Sequence, residues 1–269
     1  MYLKGDMKQL PSFVTVFLAA ALSVQASPVS IPFTLQGKAI YVQLVSPRRE
    51  QPLRFLLDTG ANETTFDRFT ADALCRGIGG MGVCRIKTEG RFIPLGIPFW
   101  TDLSNLSINQ GRKVDGLLGD DFLDGKVVTF DFANDVVQVE KAPKHAFYAR
   151  SGRIHAPFVL PNGKALRFIV DTGVDHSYIS LAAARDLGLM TSGAHDLNIN
   201  GITTKAYVLD RAVRGTVAGH PIADVGYALD MTPFRISADD NADGVLGMDF
   251  LLSHHIRLDF GVYTLTVLD

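Results

Sequence analysis

Residues 54–66 read RFLLDTGANETTF, and residues 167–179 read RFIVDTGVDHSYI. Each places an apolar, β-type run directly before Asp-Thr-Gly, giving Asp58-Thr59-Gly60 and Asp171-Thr172-Gly173. A second phrase is also doubled, VDGLLGDDFL at 114–123 and ADGVLGMDFL at 242–251, and a third follows each, VTFDF at 128–132 and IRLDF at 256–260. Three phrases recurring in one order make the chain two copies of a single module. The two aspartates lie 113 residues apart (171 − 58), about the size of one small folding unit.

The segments between these phrases are short, β-branched and punctuated by turn residues. SIPFTLQGKAIYVQLVS (30–46) reads as strands joined at Gln36-Gly37-Lys38, and Leu53–Leu57 as a strand ending at the first Asp-Thr-Gly. Thr65 to Leu74 suits one or two helical turns, and an Asn/Ser/Gly-rich loop precedes GLLG. In the second copy Ser180 is placed to cap a helix over 181–189, and 196–209 reads as a hairpin turning near Asn200-Gly201. Short strands with one helix per copy predict a mainly β fold rather than a βαβ sheet. The expected division is 1–26 as a leader, 27–141 as the first half, 142–153 as linker and 154–269 as the second half.

A lone Asp-Thr-Gly is ordinarily a turn with an Asx-type hydrogen bond. Two copies packed about a pseudo-two-fold axis change its meaning, because Asp58 and Asp171 can then meet. Two carboxylates at hydrogen-bond distance share one proton, so the ionised member can activate water while the protonated one binds a carbonyl oxygen. Gly60 and Gly173 permit tight turns beside the carboxylates, and Thr59 and Thr172 can hydrogen-bond across the axis.

These motifs resemble those of the retropepsin-type aspartic proteases, as if two retroviral-protease-like halves were fused in one chain. LLDTGA and GLLGDDFL are close to that family's pattern, and DGVLGMDFL is similar to its bacterial exported relatives. The resemblance covers roughly residues 30–141 and 154–269. It implies a bilobal acid-protease fold of two homologous β-barrel-like halves, each with a short helix. It also implies an aspartic endopeptidase with Asp58 and Asp171 as the catalytic pair and Thr59 and Thr172 as their interlock. Flaps closing over a bound peptide would lie near Gly77–Arg91, with Gly79 and Gly80, and near Asn198–Lys205, with Gly201 and Ile202. A peptide-binding module with the same fold and no turnover is the alternative.

The sequence departs from the family pattern in places. Retroviral enzymes place an arginine after the apolar-apolar-Gly phrase, paired with an aspartate just past Asp-Thr-Gly. Here Asp120 and Met248 take the first position and Asn62 and Asp175 the second, so that ion pair is absent. From Asp-Thr-Gly to the Gly-x-Pro echo the halves span 38 (96 − 58) and 48 (219 − 171) residues, which predicts an asymmetric cleft. Ala61 and Val174 follow the motif where pepsin-like enzymes carry a hydroxyl. Losing that donor raises a carboxyl pKa, which predicts a working range from mildly acidic to neutral.

A net charge of −2 offers no footprint for nucleic acid. Lys4 and Lys8 precede the apolar run FVTVFLAAALSV (13–24), and Val24-Gln25-Ala26 has small residues where signal peptidase reads them. The run is short of the roughly 20 residues a membrane span needs, so a cleaved signal and an exported, periplasmic or secreted monomer are expected. An uncleaved anchor is the alternative. Cys75 and Cys84 are the only cysteines, and in an oxidising compartment they would pair, contributing roughly 2–3 kcal/mol on the chain-entropy model; two reduced thiols are the other reading.

No cofactor or metal is called for. The Gly77–Gly82 string lacks a βαβ setting for a dinucleotide, and Asp239–Gly244 lacks the glutamate an EF-hand loop needs. His254 and His255, if on a strand, would face opposite ways and could not chelate together.

Overall fold

A computed structural model describes residues 27–45, 50–70, 85–88, 91–94, 99–109, 111–142, 152–199, 202–222, 224–234 and 241–269. The leader at 1–26, Cys75, Cys84, Gly79, Gly80, Gly201 and most of the expected linker lie outside the described residues.

The chain is mainly β. The first half contributes β1 (Val29–Gln36), β2 (Ala39–Leu44), β3 (Leu53–Leu57), β4 (Thr65–Asp67), β5 (Arg85–Thr88), β6 (Arg91–Pro94), β7 (Phe99–Thr101), β8 (Gly116–Leu118), β9 (Lys126–Asp131) and β10 (Val136–Lys141). The second contributes β11 (His155–Val159), β12 (Ala165–Val170), β13 (Tyr178–Ser180), β14 (Thr191–Ile199), β15 (Ile202–Val213), β16 (Thr216–Val217), β17 (His220–Pro221), β18 (Val225–Leu229), β19 (Gly244–Leu246), β20 (Ile256–Asp259) and β21 (Thr264–Val267).

Two large sheets result, and one strand order occurs in both. The ten-stranded sheet runs β21-β20-β9-β10-β1-β2-β3-β8-β4-β7; the nine-stranded sheet runs β14-β15-β18-β13-β19-β12-β11-β16-β17. Within them β2-β3-β8-β4-β7 corresponds strand for strand to β11-β12-β19-β13-β18. In each series the strand before Asp-Thr-Gly pairs in parallel with the apolar-apolar strand, Leu57 opposite Leu118 and Val170 opposite Leu246. β8 and β19 are buried along their whole length, as expected of short apolar strands covered on both faces.

The third repeated phrase joins the halves. β9 pairs antiparallel with β20, so Thr129 of VTFDF lies opposite Arg257 of IRLDF and Val128 opposite Leu258. One hydrophobic cluster extends from Phe33, Phe55 and Phe130 to Phe158, Phe168 and Leu258. Within it Phe158 and Phe168 stack at 4.7 Å, while Phe55 meets Phe66 edge-on at 5.4 Å. Each fully buried phenylalanine contributes roughly 1.5–3 kcal/mol by its removal from water.

Local expectations fare unevenly. Gln36 pairs with Ala39 around Gly37, whose φ of 61° suits glycine in a two-residue turn. Of the helical turns expected over Thr65–Leu74, Thr65–Asp67 is instead a strand, and 71–74 lie outside the described residues. Phe66 is fully buried there, and β4 must lie between β8 and β7. The polar stretch before GLLG contains a helix, Ser104–Asn109, whose Leu106 is buried with Leu103 just before it. Asp102 accepts from the Ser104 amide at 2.9 Å and relieves an orphan donor at its start. In the second half Ser180 Oγ accepts from Ala183 N at 3.0 Å and caps the helix Leu181–Asp186, shorter than the predicted 181–189.

Candidate active site

Both Asp-Thr-Gly turns emerge where their strands end. Asp58 N donates to Leu118 O and Asp171 N to Leu246 O, each at 3.0 Å, so the apolar strand beneath holds each aspartate at the same height. Across the axis Thr59 N donates to Thr172 Oγ1 at 3.1 Å and Thr172 N to Thr59 Oγ1 at 3.0 Å. Each hydroxyl then donates to the opposite strand, Thr59 to Val170 O at 2.9 Å and Thr172 to Leu57 O at 2.8 Å. These four buried bonds reciprocally join one half to the other.

The interlock brings the carboxylates together. A methyl group added at Gly60 would lie 2.2 Å from Asp171 Oδ2, so only glycine lets the first turn approach the second aspartate. Asp58 Oδ1 accepts from Gly60 N at 3.0 Å and Ala61 N at 3.1 Å, and Asp171 Oδ1 accepts from Gly173 N at 2.7 Å. Burial pushes the Asp171 carboxyl well above its ordinary range, and the adjacent Asp58 charge pushes the same way. The Gly173 amide and the Arg153 guanidinium oppose this less strongly.

A cleft of about 450 Å³ opens over the pair. Asp58, Gly60, Ala61, Asn62 and Leu117 line it from the first half, Arg153 from the end of the expected linker, and Asp171, Ile199, Ile202 and Phe234 from the second half. Ile199 and Ile202 are opposed at the tip of the long β14–β15 hairpin, which places Ile202 at the cleft and Gly201 beside it in the chain. Among the described residues of the first half, β5 and β6 pair as a hairpin between β4 and β7, with Thr88 opposite Arg91.

Sequence reasoning missed a supporting layer that is also doubled. Thr64 and Ser177 occupy the same offset after each aspartate, and their hydroxyls accept from Gly119 N at 3.1 Å and Gly247 N at 3.0 Å. Asp121 accepts from Thr64 N at 2.6 Å, and Asp249 accepts from Ser177 N at 2.8 Å. The common aspartate of GDDFL and GMDFL was the available signal. Arg153 was missed as well, because it belongs to no repeat. It is buried, lines the cleft, and donates through Nη1 to Phe234 O at 2.5 Å.

Asp120 and Met248 make equivalent main-chain bonds, to Ala61 O at 2.8 Å and Val174 O at 2.9 Å. Their side chains differ sharply. Asp120 is 2% exposed, and its carboxyl is pushed up to about 7, first by burial and then by the Asp124 charge. Its Oδ1 has no hydrogen-bond partner among the described residues.

Residues 159–253 match the sequence model of a family described as gag-polyprotein putative aspartyl protease. The matched segment contains Asp171-Thr172-Gly173, the β14–β15 hairpin and GVLGMDFL, so the second half carries an aspartyl-protease pattern. No curated protein matches the chain.

Proposed function

We propose that the protein is an aspartic endopeptidase whose catalytic dyad, Asp58 and Asp171, comes from two retropepsin-like halves of one chain. The observation that carries this reading is the reciprocal Thr59–Thr172 interlock beneath two buried carboxyls at the floor of one cleft. A lone turn aspartate needs no such partner.

The chemistry follows from the unequal settings of the two carboxyls. Asp171, raised by burial and by Asp58, retains the shared proton and donates it towards the oxygen of the scissile carbonyl. Asp58, with the Gly60 and Ala61 amides on Oδ1, serves as the base that takes a proton from water. The water oxygen bonds to the carbonyl carbon and gives a neutral gem-diol. The proton held by Asp58 then passes to the amide nitrogen as the C–N bond breaks, and a hydroxyl proton of the diol returns to the dyad. Nothing in this cycle requires a metal or an organic cofactor. A peptide would lie extended between the turns and the β14–β15 hairpin, with Ile199 and Ile202 against its side chains.

The raised Asp171 carboxyl keeps one proton on the pair above the ordinary carboxylate range. Cleavage should therefore extend into mildly acidic and neutral conditions; a sharp maximum below about pH 3, under unperturbed carboxyl values, would contradict this. The proposed setting is outside the cytoplasm, with the working enzyme a monomer. The deciding experiment is cleavage of a random peptide pool across pH, beside Asp58→Asn. Cleavage by the wild type alone is expected, whereas no cleavage by either folded protein at any pH would favour the peptide-binding module.

A further inference from the structure

Away from the cleft, three side chains from separate parts of the second half converge. His220 begins β17, His254 lies between the helix Met248–Leu251 and β20, and Asp269 follows β21. Each offers a ligand atom, and the three atoms lie within 4.8 Å of one another. His254 is thus in a turn rather than on a strand, and its partner is His220 rather than the adjacent His255.

The surroundings hold these groups in place. β16 and β17 are joined by the two-residue turn Ala218-Gly219, with φ of 50° and 86°, and Val217 lies opposite His220. Positive φ at both central residues is the tight hairpin turn that matches strand twist, so the start of β17 is well fixed. His254 Nδ1 lies 2.5 Å from Asp269 Oδ2, and Asp269 Oδ1 accepts from His255 N at 2.8 Å. The His220 and His254 rings meet at 4.8 Å, while Phe250 covers His254 at 4.6 Å.

We infer that His220, His254 and Asp269 form a binding site for a divalent transition metal of the zinc class, with water completing the coordination. Two imidazoles and one carboxylate suit zinc, whereas calcium and magnesium prefer a shell of oxygens. Tetrahedral zinc at about 2.0–2.2 Å from each ligand holds those ligands roughly 3.3–3.5 Å apart. The short His254–Asp269 contact would open by about 1 Å as the metal replaces their shared proton, and the widest pair would close by up to about 1.5 Å.

The site's place in the fold gives it a structural role. β17 ends the nine-stranded sheet and β21 ends the ten-stranded one, so the metal would clamp the edges of both sheets together. This inference is independent of the proposed cleavage chemistry.

Cobalt(II) titration of the chelator-treated full chain tests it, with Cys75 and Cys84 replaced by serine to remove competing thiolates. The expected result is saturable ligand-field absorption at micromolar cobalt and, with zinc, an unfolding midpoint raised by several degrees. His220→Ala and Asp269→Asn should each weaken binding more than about a hundredfold, beyond the roughly 10–100-fold that loss of a second-shell partner causes, while leaving peptide cleavage unchanged. Absence of saturable bands, or bands and a zinc shift that persist in both variants, would overturn the site.

Discussion

The two halves agree where they build the floor of the cleft and differ where they wall it. β2-β3-β8-β4-β7 and β11-β12-β19-β13-β18 carry the same aspartate, threonine, glycine and supporting hydroxyl at matching places. Above that floor, β14 and β15 form a long hairpin continuous with the nine-stranded sheet through β18. β5 and β6 are short and form a two-stranded sheet of their own. Beside the floor, Asp120 is buried where the second half has Met248. The shared residues answer a symmetric demand, that two carboxyls meet on an axis, so both copies must supply them. In the proposed enzyme the walls would face different parts of an extended peptide, whose two directions are not equivalent, and symmetry places no such demand on them.

The largest test of this comparison is to remove each carboxylate in turn. Asp58→Asn and Asp171→Asn should both reduce peptide cleavage by at least about 10²–10⁴-fold, the range for a lost acid–base group. Substantial turnover retained by either variant would mean that the halves do not share one dyad.

Asp120→Met would make the two halves alike at the position after the apolar-apolar-Gly phrase. The Asp120 carboxyl is raised from 3.8 to about 7, so between those values the folded state holds a proton that the unfolded state has released. Its effect on stability is therefore most favourable below about pH 4, declines as pH rises to about 7 and is flat above. The variant should gain on the order of a few kcal/mol at pH 8 and little at pH 4, read from urea midpoints. An equal gain at both pH values would remove buried ionisation as the cause.

Thr59→Val and Thr172→Val probe the axis itself. Each removes one hydroxyl that both accepts and donates across the halves, leaving a buried amide and a carbonyl short of a partner. Each should cost about 1–3 kcal/mol by equilibrium unfolding, and the two costs should match. Clearly unequal costs would show that the interlock is not symmetric in energy.

The smallest effect belongs to the wall. Ile202→Ala at the half-exposed hairpin tip should raise KM a few-fold with little change in kcat, the pattern of lost uniform binding. Steady-state kinetics on a single cleaved peptide would measure it; a fall in kcat at constant KM would place the side chain in the chemistry instead.

The sequence was most readable where it repeats. Alternation and turn residues located β1, β2, β3 and the β14–β15 hairpin, and the doubled phrases pointed to both aspartates, both threonines and both buried strands. It was least readable where partners came from elsewhere. Thr65–Asp67 has no strong local preference and is a strand because β8 and β7 flank it. Ser104–Asn109 looks polar, but Leu103 and Leu106 supply enough apolar contact beneath it.

By itself, the sequence showed three phrases repeated in one order, and it identified the motif residues in each copy. Those facts rest on neighbouring residues and on order along the chain. Tertiary structure alone decided that Arg153 lines the cleft, that Asp120 is buried near Gly152 and Arg153, and that His220, His254 and Asp269 meet. Burial and the field at a side chain depend on groups far away in the chain, and one copy of each leaves no periodic mark.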